Sequence, residues 1–282
     1  MPESAQNADD RFGDDLIELG GRVPLGLYLR ELWDRREFAI VVPVNDIRAQ
    51  NMDNVLGQLW HLLNPLMLVG VYFIVFGVVL EADRGVEDYF AFLVVGVLLF
   101  QLTQRIVQDS ALAISRNEGL IRSLQFPRAL LPISSLVGQT LAFLPALGVL
   151  LVVTVVSAGV RWEWLVLPVV LLAQAAIGLG AGFLAARAGF AVRDVNQILP
   201  HLFRLLFYVS GVIFAVDVFV TDELLRRLFE LNPMYSVIAC ARWCVLGLDV
   251  STFAVVTLIA WAVVLPVVGL LWFRAAEHRY GS

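Results

Sequence analysis

Five stretches of the chain are apolar for a membrane's thickness: roughly 59–80, 131–158, 162–186, 196–216 and 252–273. Each holds about 20 residues or more, enough at 1.5 Å per residue to cross about 30 Å of hydrocarbon. A sixth, 89–114, is apolar only through Phe100; beyond it Gln101, Gln104, Arg105 and Gln108 share one face at helical spacing. A stripe of that kind cannot face lipid, because one central arginine costs about 2.5–3.5 kcal/mol on insertion scales. It must face a partner helix, a polar conduit or the headgroups. Upstream, Leu25, Tyr28, Leu29, Leu32 and Trp33 fall at i, i+3, i+4, i+7 and i+8, with Arg30, Glu31, Asp34, Arg35 and Glu37 on the other face. This predicts an amphipathic helix lying in a membrane interface. Segment 231–248 contains Asn232-Pro233, Arg242 and both cysteines. It is too short and polar to cross, so 218–248 reads as an outside-facing re-entrant or interfacial element.

The pattern therefore predicts an all-α integral membrane protein. It has six transmembrane helices, an N-terminal interfacial helix and an outer re-entrant segment between spans five and six. Three regions follow: an acidic tail over 1–21, the interfacial helix and lead-in over 22–58, and the six-span domain over 59–282. Composition agrees, with 59% hydrophobic and only 16% charged residues, too little polar surface for a soluble domain. Residues 1–21 carry Glu3, Asp9, Asp10, Asp14, Asp15 and Glu18 against Arg11; this reads as a solvated, disordered tail and not a signal peptide. With both termini inside, Arg11, Arg22, Arg30, Arg35, Arg36, Arg48, Arg105, Arg116, Arg122, Arg128, Arg187, Arg193, Arg204, Arg274 and Arg279 fall on the cytoplasmic side. Arg84, Arg161, Arg226, Arg227 and Arg242 fall outside. That imbalance satisfies the positive-inside rule and predicts a multi-pass protein of the plasma membrane.

All 20 Lys+Arg residues are arginine, so a Walker A lysine and a Schiff-base lysine are impossible here. G-x-S-x-G and H-E-x-x-H are absent, and His61, His201 and His278 are far apart. Cys240 and Cys244, four apart, read as small apolar residues on one helical face. Gly178, Gly180 and Gly182 superficially look like a phosphate loop, but they lie inside an apolar span among alanines. Close helix packing explains them better. Asp109 is the single carboxylate candidate within a span, so ion-coupled transport has little support. No catalytic residue and no metal site is expected.

The loop after the second span carries a short helix with Leu120, Ile121 and Leu124 as an apolar stripe, flanked by Arg116 and Arg122, ending before Pro127. It suits docking into a partner's groove; a membrane-surface helix without a partner is the other reading. Residues Asn117-Glu-Gly-Leu-Ile-Arg-Ser-Leu-Gln-Phe-Pro-Arg128 resemble the coupling loop of permeases of polysaccharide-class ABC exporters. Asp46-Ile-Arg48 through Asn64-Pro65, Arg193-Asp194-Val195 and Leu231-Asn232-Pro233 are similar to three further stretches of that family. The resemblance spans about residues 25–275 in order, with one departure: Ala49–Asp53 is nearly neutral where members often carry several basic residues.

The resemblance implies a permease passing a polyprenyl-linked polysaccharide, O-antigen-, teichoic acid- or galactan-like, to the outer face. It implies two copies of this chain with two copies of a separate ATPase subunit, among membrane lipids and with no nucleic acid. The chain itself needs no cofactor, since ATP and Mg belong to the partner ATPase. Asn117, Glu118, Gly119, Leu120, Ile121, Arg122, Phe126, Pro127 and Arg128 become the ATPase-coupling loop; Tyr28, Trp33 and Arg35 become a gate for the lipid headgroup. Sugar rings suit aromatic faces and neutral hydrogen-bonding groups. Tyr72, Phe73, Phe76, Phe207, Tyr208, Gln101, Gln104 and Gln108 are thus conduit candidates, with helix packing the competing reading. The alternatives are a permease for a drug or lipid and an integral-membrane enzyme of glycan assembly.

Overall fold

The computed structural model of the chain describes residues 24–51, 59–80 and 86–280. The acidic stretch 1–21, the Leu56–Gln58 part of the lead-in and Arg84 lie outside the described residues. Twelve α-helices follow in order among them. Helices α1 (Leu25–Asp34) and α2 (Arg36–Asn51) precede α3 (Leu59–Tyr72), which continues in wider turns to Val79. Next come α4 (Tyr89–Arg116), the short α5 (Glu118–Ser123), α6 (Leu130–Ala158) and α7 (Leu167–Ala191). The last are α8 (Val195–Val209), α9 (Val216–Phe219), α10 (Glu223–Leu231), α11 (Pro233–Leu246) and α12 (Thr252–Ala275). No strand occurs among the described residues. The all-α membrane fold expected from the pattern is the fold observed.

Five helical stretches are long and apolar enough to cross a membrane: Leu62–Val79, Tyr89–Arg116, Leu130–Ala158, Trp162–Ala191 and Thr252–Ala275. The expected span at 196–216 is interrupted. Helix α8 stops after 15 residues, about 22 Å, and the chain turns through Gly211 at φ +60°. The Ser210 hydroxyl folds back onto the Leu206 carbonyl at 2.6 Å and helps close the turn.

Helix α4 is the axis of the bundle: 78% of its apolar window is buried, against 22% for α6 and α12. Its mean hydropathy, 1.9, is nevertheless below the 2.5 and 2.6 of those two helices. The order follows from the solvent. Lipid accepts only apolar surface, so the helix carrying polar groups goes to the middle, where other helices can satisfy them. Gln174 of α7 shows how. It is fully buried, and its amide donates to the Leu99 carbonyl at 2.6 Å and to the Thr103 hydroxyl at 3.1 Å. Interhelical hydrogen bonds in membranes average about 0.6 kcal/mol with a maximum near 1.7. Gln174→Leu is therefore expected to lower the thermal midpoint of the purified protein by only a few degrees, and a collapse would refute this weighting.

The glycines of α7 pack as expected, but toward two different neighbours. A Cβ on Gly182 would lie 2.7 Å from the Ser110 hydroxyl, and one on Gly178 3.3 Å from Ile106, both on α4. Gly180, on the reverse face, would meet the α12 backbone at Leu265 and Pro266. Residues four apart share a helix face and residues two apart do not. Alternate glycines thus let one helix be approached closely from both sides. Cys240 and Cys244 are buried and unpaired in α11, as small apolar residues should be.

Candidate functional site

One end of the bundle gathers α1, α5, the α7–α8 turn and the segment after α12. Helix α4 ends where the Asn117 side chain donates to the Ala113 carbonyl at 2.8 Å, and α5 begins at once. Ile121 anchors α5. It is 6% exposed, in an apolar cluster with Tyr28, Ala129, Phe183, Phe273 and Tyr280. Leu120 and Phe126 are half-buried, Pro127 is buried, and Glu118, Gly119, Arg122 and Leu124 are exposed. The apolar stripe expected along Leu120, Ile121 and Leu124 therefore divides. Ile121 holds the helix to the bundle, and Leu124, 55% exposed, stays on the surface beside Arg122. The Glu118–Arg122 pair at 3.7 Å is exposed and adds little stability.

Helix α1 lies against this loop. Tyr28 is its buried residue, while Leu29 and Trp33 remain exposed. Arg35, at the α1–α2 junction, donates to the Gln125 carbonyl at 2.6 Å and pairs with Glu31 at 3.3 Å. Phe38 packs on Phe126 with centroids 5.1 Å apart. The Tyr28 hydroxyl donates to Glu277 Oε1 at 3.1 Å, and the Arg274 guanidinium sits 4.9 Å from the Tyr28 ring centroid. Burial, then the adjacent Glu277 carboxylate, push the Tyr28 phenol above its ordinary value, so it remains a donor. Burial also raises Glu277 above the usual carboxylate range, against the opposing pull of the Arg128 amide and the Tyr28 hydroxyl. The gate candidates Tyr28 and Arg35 thus contact the loop region directly, a contact between segments about 90 residues apart that no local pattern in the chain announces.

The conduit candidates separate into two sets. Tyr72 stacks on Phe207 at 5.2 Å and lies 6.0 Å from Phe76; Phe207 also meets Phe100 and Tyr208. This joins α3, α4 and α8 in one aromatic cluster whose open edge includes Tyr208, 47% exposed. Phe73 turns elsewhere, onto Tyr89 and Phe90. Gln101 accepts from Arg105 at 3.3 Å, and the two border a small gap with Pro65 of α3 and Gln139 of α6. Gln104 and Gln108 are half-buried, and the Gln108 amide nitrogen is buried without a protein partner. Gln101 and Arg105 line a gap apart from the aromatic cluster, whereas Gln104 lies four residues after Phe100 and shares its helix face.

At the opposite end the structure supplies a residue whose role the sequence does not reveal. Arg242 of α11 is buried and donates to the carbonyls of Phe92 (3.0 Å), Gly211 (2.8 Å) and Val212 (2.8 Å). Its guanidinium carbon lies 3.2 Å from the centroid of the Phe92 ring. Two of those carbonyls belong to the turn that interrupts α8. Carbonyls past a helix end have no intrahelical donor, and in a membrane bundle another group must supply one. Arginine's five donors on a planar fork suit several carbonyls at once. The available signal was a lone arginine inside an otherwise apolar 14-residue helix.

Comparison with known proteins places this arrangement. The O-antigen export system permease protein RfbA of Klebsiella pneumoniae is 24% identical over 249 residues, 87% of this chain and 94% of its own. The O-antigen export system permease protein RfbA of Myxococcus xanthus is 30% identical over 210 residues, 74% of this chain and 80% of its own. The polysialic acid transport protein KpsM of Escherichia coli is 26% identical over 254 residues, 83% of this chain and 92% of its own. The family profile described as ABC-2 type transporter matches residues 45–246, which take in the α4–α5–α6 loop, the interrupted α8 and Arg242, and the chain is a multi-pass membrane protein belonging to that family.

Proposed function

We propose that this chain is the permease subunit of an ATP-driven exporter that carries a polyprenyl-linked polysaccharide across the plasma membrane. Two copies enclose the conduit, each docked to a separate ABC ATPase that holds ATP and Mg. The observation that carries the reading is α5: a short helix pinned by Ile121, presenting Arg122 and Leu124 outward. It stands on a chain whose relatives are named for O-antigen and polysialic acid transport. A rigid projecting helix is a mechanical input and needs no catalytic group. The excess of arginine at the end bearing α1, α5 and the end of α12 supports a cytoplasmic position for that end.

In this reading α8 is the fifth membrane element, stopping short, and α10–α11 fold back from the outer face to complete the wall. Two contacts support the fold-back. Trp261, the tenth residue of α12, donates to the Leu231 carbonyl at 2.9 Å, and Asn232 donates to Ser210 at 3.0 Å. They tie the start of α11 to α12 and to the turn after α8, whereas its far end at Gly247 lies against Arg161.

The docking role is tested with Arg122→Glu combined with Leu124→Asp, both exposed positions, leaving the anchor Ile121 intact. The double variant should fold and reach the membrane, lose co-purification with the ATPase and lower export at least tenfold. Unchanged assembly and export would reject α5 as the docking element. The cargo is tested by depleting the gene: a lipid-linked polysaccharide should accumulate on the cytoplasmic face. Its absence, together with altered drug or lipid efflux, would favour a different substrate class.

A further inference from the structure

We propose that Glu277 is a latch tying the α5–α6 loop to the interfacial helix, so that displacement of the loop by a partner is transmitted to α1. The inference rests on the permease reading and adds a positioning residue to it. One oxygen, Glu277 Oε1, accepts from the Arg128 backbone N–H at 2.7 Å and from the Tyr28 hydroxyl at 3.1 Å. The Glu277 carbonyl also accepts from the Arg128 guanidinium. Three segments far apart in the chain thus meet on one residue: the loop after α5, helix α1, and the segment following α12.

The latch is fixed on one side and movable on the other. The segment around Glu277 is held to the bundle, because the Tyr280 hydroxyl donates to the Phe273 carbonyl at 2.9 Å and its ring packs on Phe190 and Phe273 at 5.0 and 4.9 Å. Helix α1 buries Tyr28 alone among its ten residues, so the Tyr28–Glu277 bond is a large part of what places it. Arg128 sits two residues before α6 and ten after the start of α5. A push on α5 reaches α1 by two routes, through the Gln125 carbonyl to Arg35 and through Arg128 and Glu277 to Tyr28, and the second passes through the latch. A leucine at position 277 would pack in the same space but could not hold two donors on one atom. The carboxylate sets a register that apolar contact alone leaves free.

The test uses the complete complex of permease and ATPase subunits in lipid nanodiscs, with the buried Cys240 and Cys244 replaced by alanine. Spin labels are placed at Leu29 on α1 and at Ser123 on α5, and separately at Leu29 and at Val156 on α6. In the parent protein, ATP binding should change the Leu29–Val156 distance and leave Leu29–Ser123 nearly constant, since α1 follows the loop. In Glu277→Ala the Leu29–Ser123 distribution should broaden and the nucleotide response of Leu29–Val156 should fall by at least half, the Arg35–Gln125 contact carrying the remainder. ATP hydrolysis should stay within twofold while export falls at least tenfold. Glu277→Gln, which keeps the accepting oxygen, should recover most of the response, and Tyr28→Phe should mimic the alanine variant with less risk to folding. A nucleotide response in Glu277→Ala equal to the parent's, or no response in the parent, overturns the latch. These distances require no polysaccharide, so a wrong cargo assignment would leave them unchanged. Failure to assemble with an ATPase would instead remove the permease reading and the latch together.

Discussion

Arg242→Leu is expected to destabilise the protein more than any other single side-chain truncation in the bundle. Three carbonyls lose their charge-assisted donor at once, two of them in the turn where α8 has already stopped forming its own hydrogen bonds. Breaking a buried charged contact typically costs about 3–5 kcal/mol, and hydrogen bonds to charged groups contribute about 1.5–3 kcal/mol each. Leucine also leaves space beside Phe92, where the guanidinium now covers the ring. For a chain of this size that loss corresponds to a fall in thermal midpoint of roughly 5–10 °C, read by size-exclusion after heating in detergent. Arg242→Lys should recover only part of it, because a single ammonium cannot span the three carbonyls as the planar fork does. A leucine variant within two degrees of the parent would show that the turn satisfies itself. The contrast with Gln174→Leu tests whether the charge matters, since both residues hold helices together through buried carbonyls.

Gly180→Leu should be nearly as damaging through a different route. At Gly180 even a Cβ would collide with the Leu265 carbonyl carbon and the Pro266 nitrogen, and one on Gly269 would collide with the Gly180 carbonyl oxygen. The obstacles are backbone atoms, which cannot rotate away. Helices α7 and α12 would have to separate, and overpacking of this kind costs about 1–3 kcal/mol or more. Gly180→Ala should already lower the midpoint measurably, and the leucine variant should yield little monodisperse protein. Gly148→Ala on α6, where no atom lies within 4 Å, is the matched control and should leave the midpoint unchanged. Equal behaviour of Gly180→Ala and Gly148→Ala would mean that the close α7–α12 crossing does not exist in solution.

What was readable in the chain follows from the bilayer as a solvent. Hydrocarbon thickness demands long apolar runs, so α3, α4, α6, α7 and α12 announce themselves by length. The heptad-like stripe around Tyr28 announces α1 because an interface has two sides. Pro127 and Asn232-Pro233 mark boundaries by backbone chemistry that acts within a few residues. The short helix α5 was legible for the same reason: its residues are contiguous.

Tertiary structure alone decided how these pieces meet. Hydropathy could not select α4 as the axis, since its Gln101, Thr103 and Gln108 make it look the least membrane-like of the long helices. In lipid, that polarity is the reason for its central position. The division of Leu120, Ile121 and Leu124 between anchor and surface depends on where α1 and the segment after α12 come to rest. The end of α8 at Val209 depends on Arg242, 33 positions downstream in sequence, supplying donors that the α8 turn lacks. Glu277 likewise acquires its partners from residues 149 and 249 positions away. Local rules act over one or two helical turns, whereas the partners of buried groups such as Arg242 and Glu277 come from across the whole bundle. The chain determined five membrane-length helices, its amphipathic first helix and its family; which polar group answers which was settled only by packing.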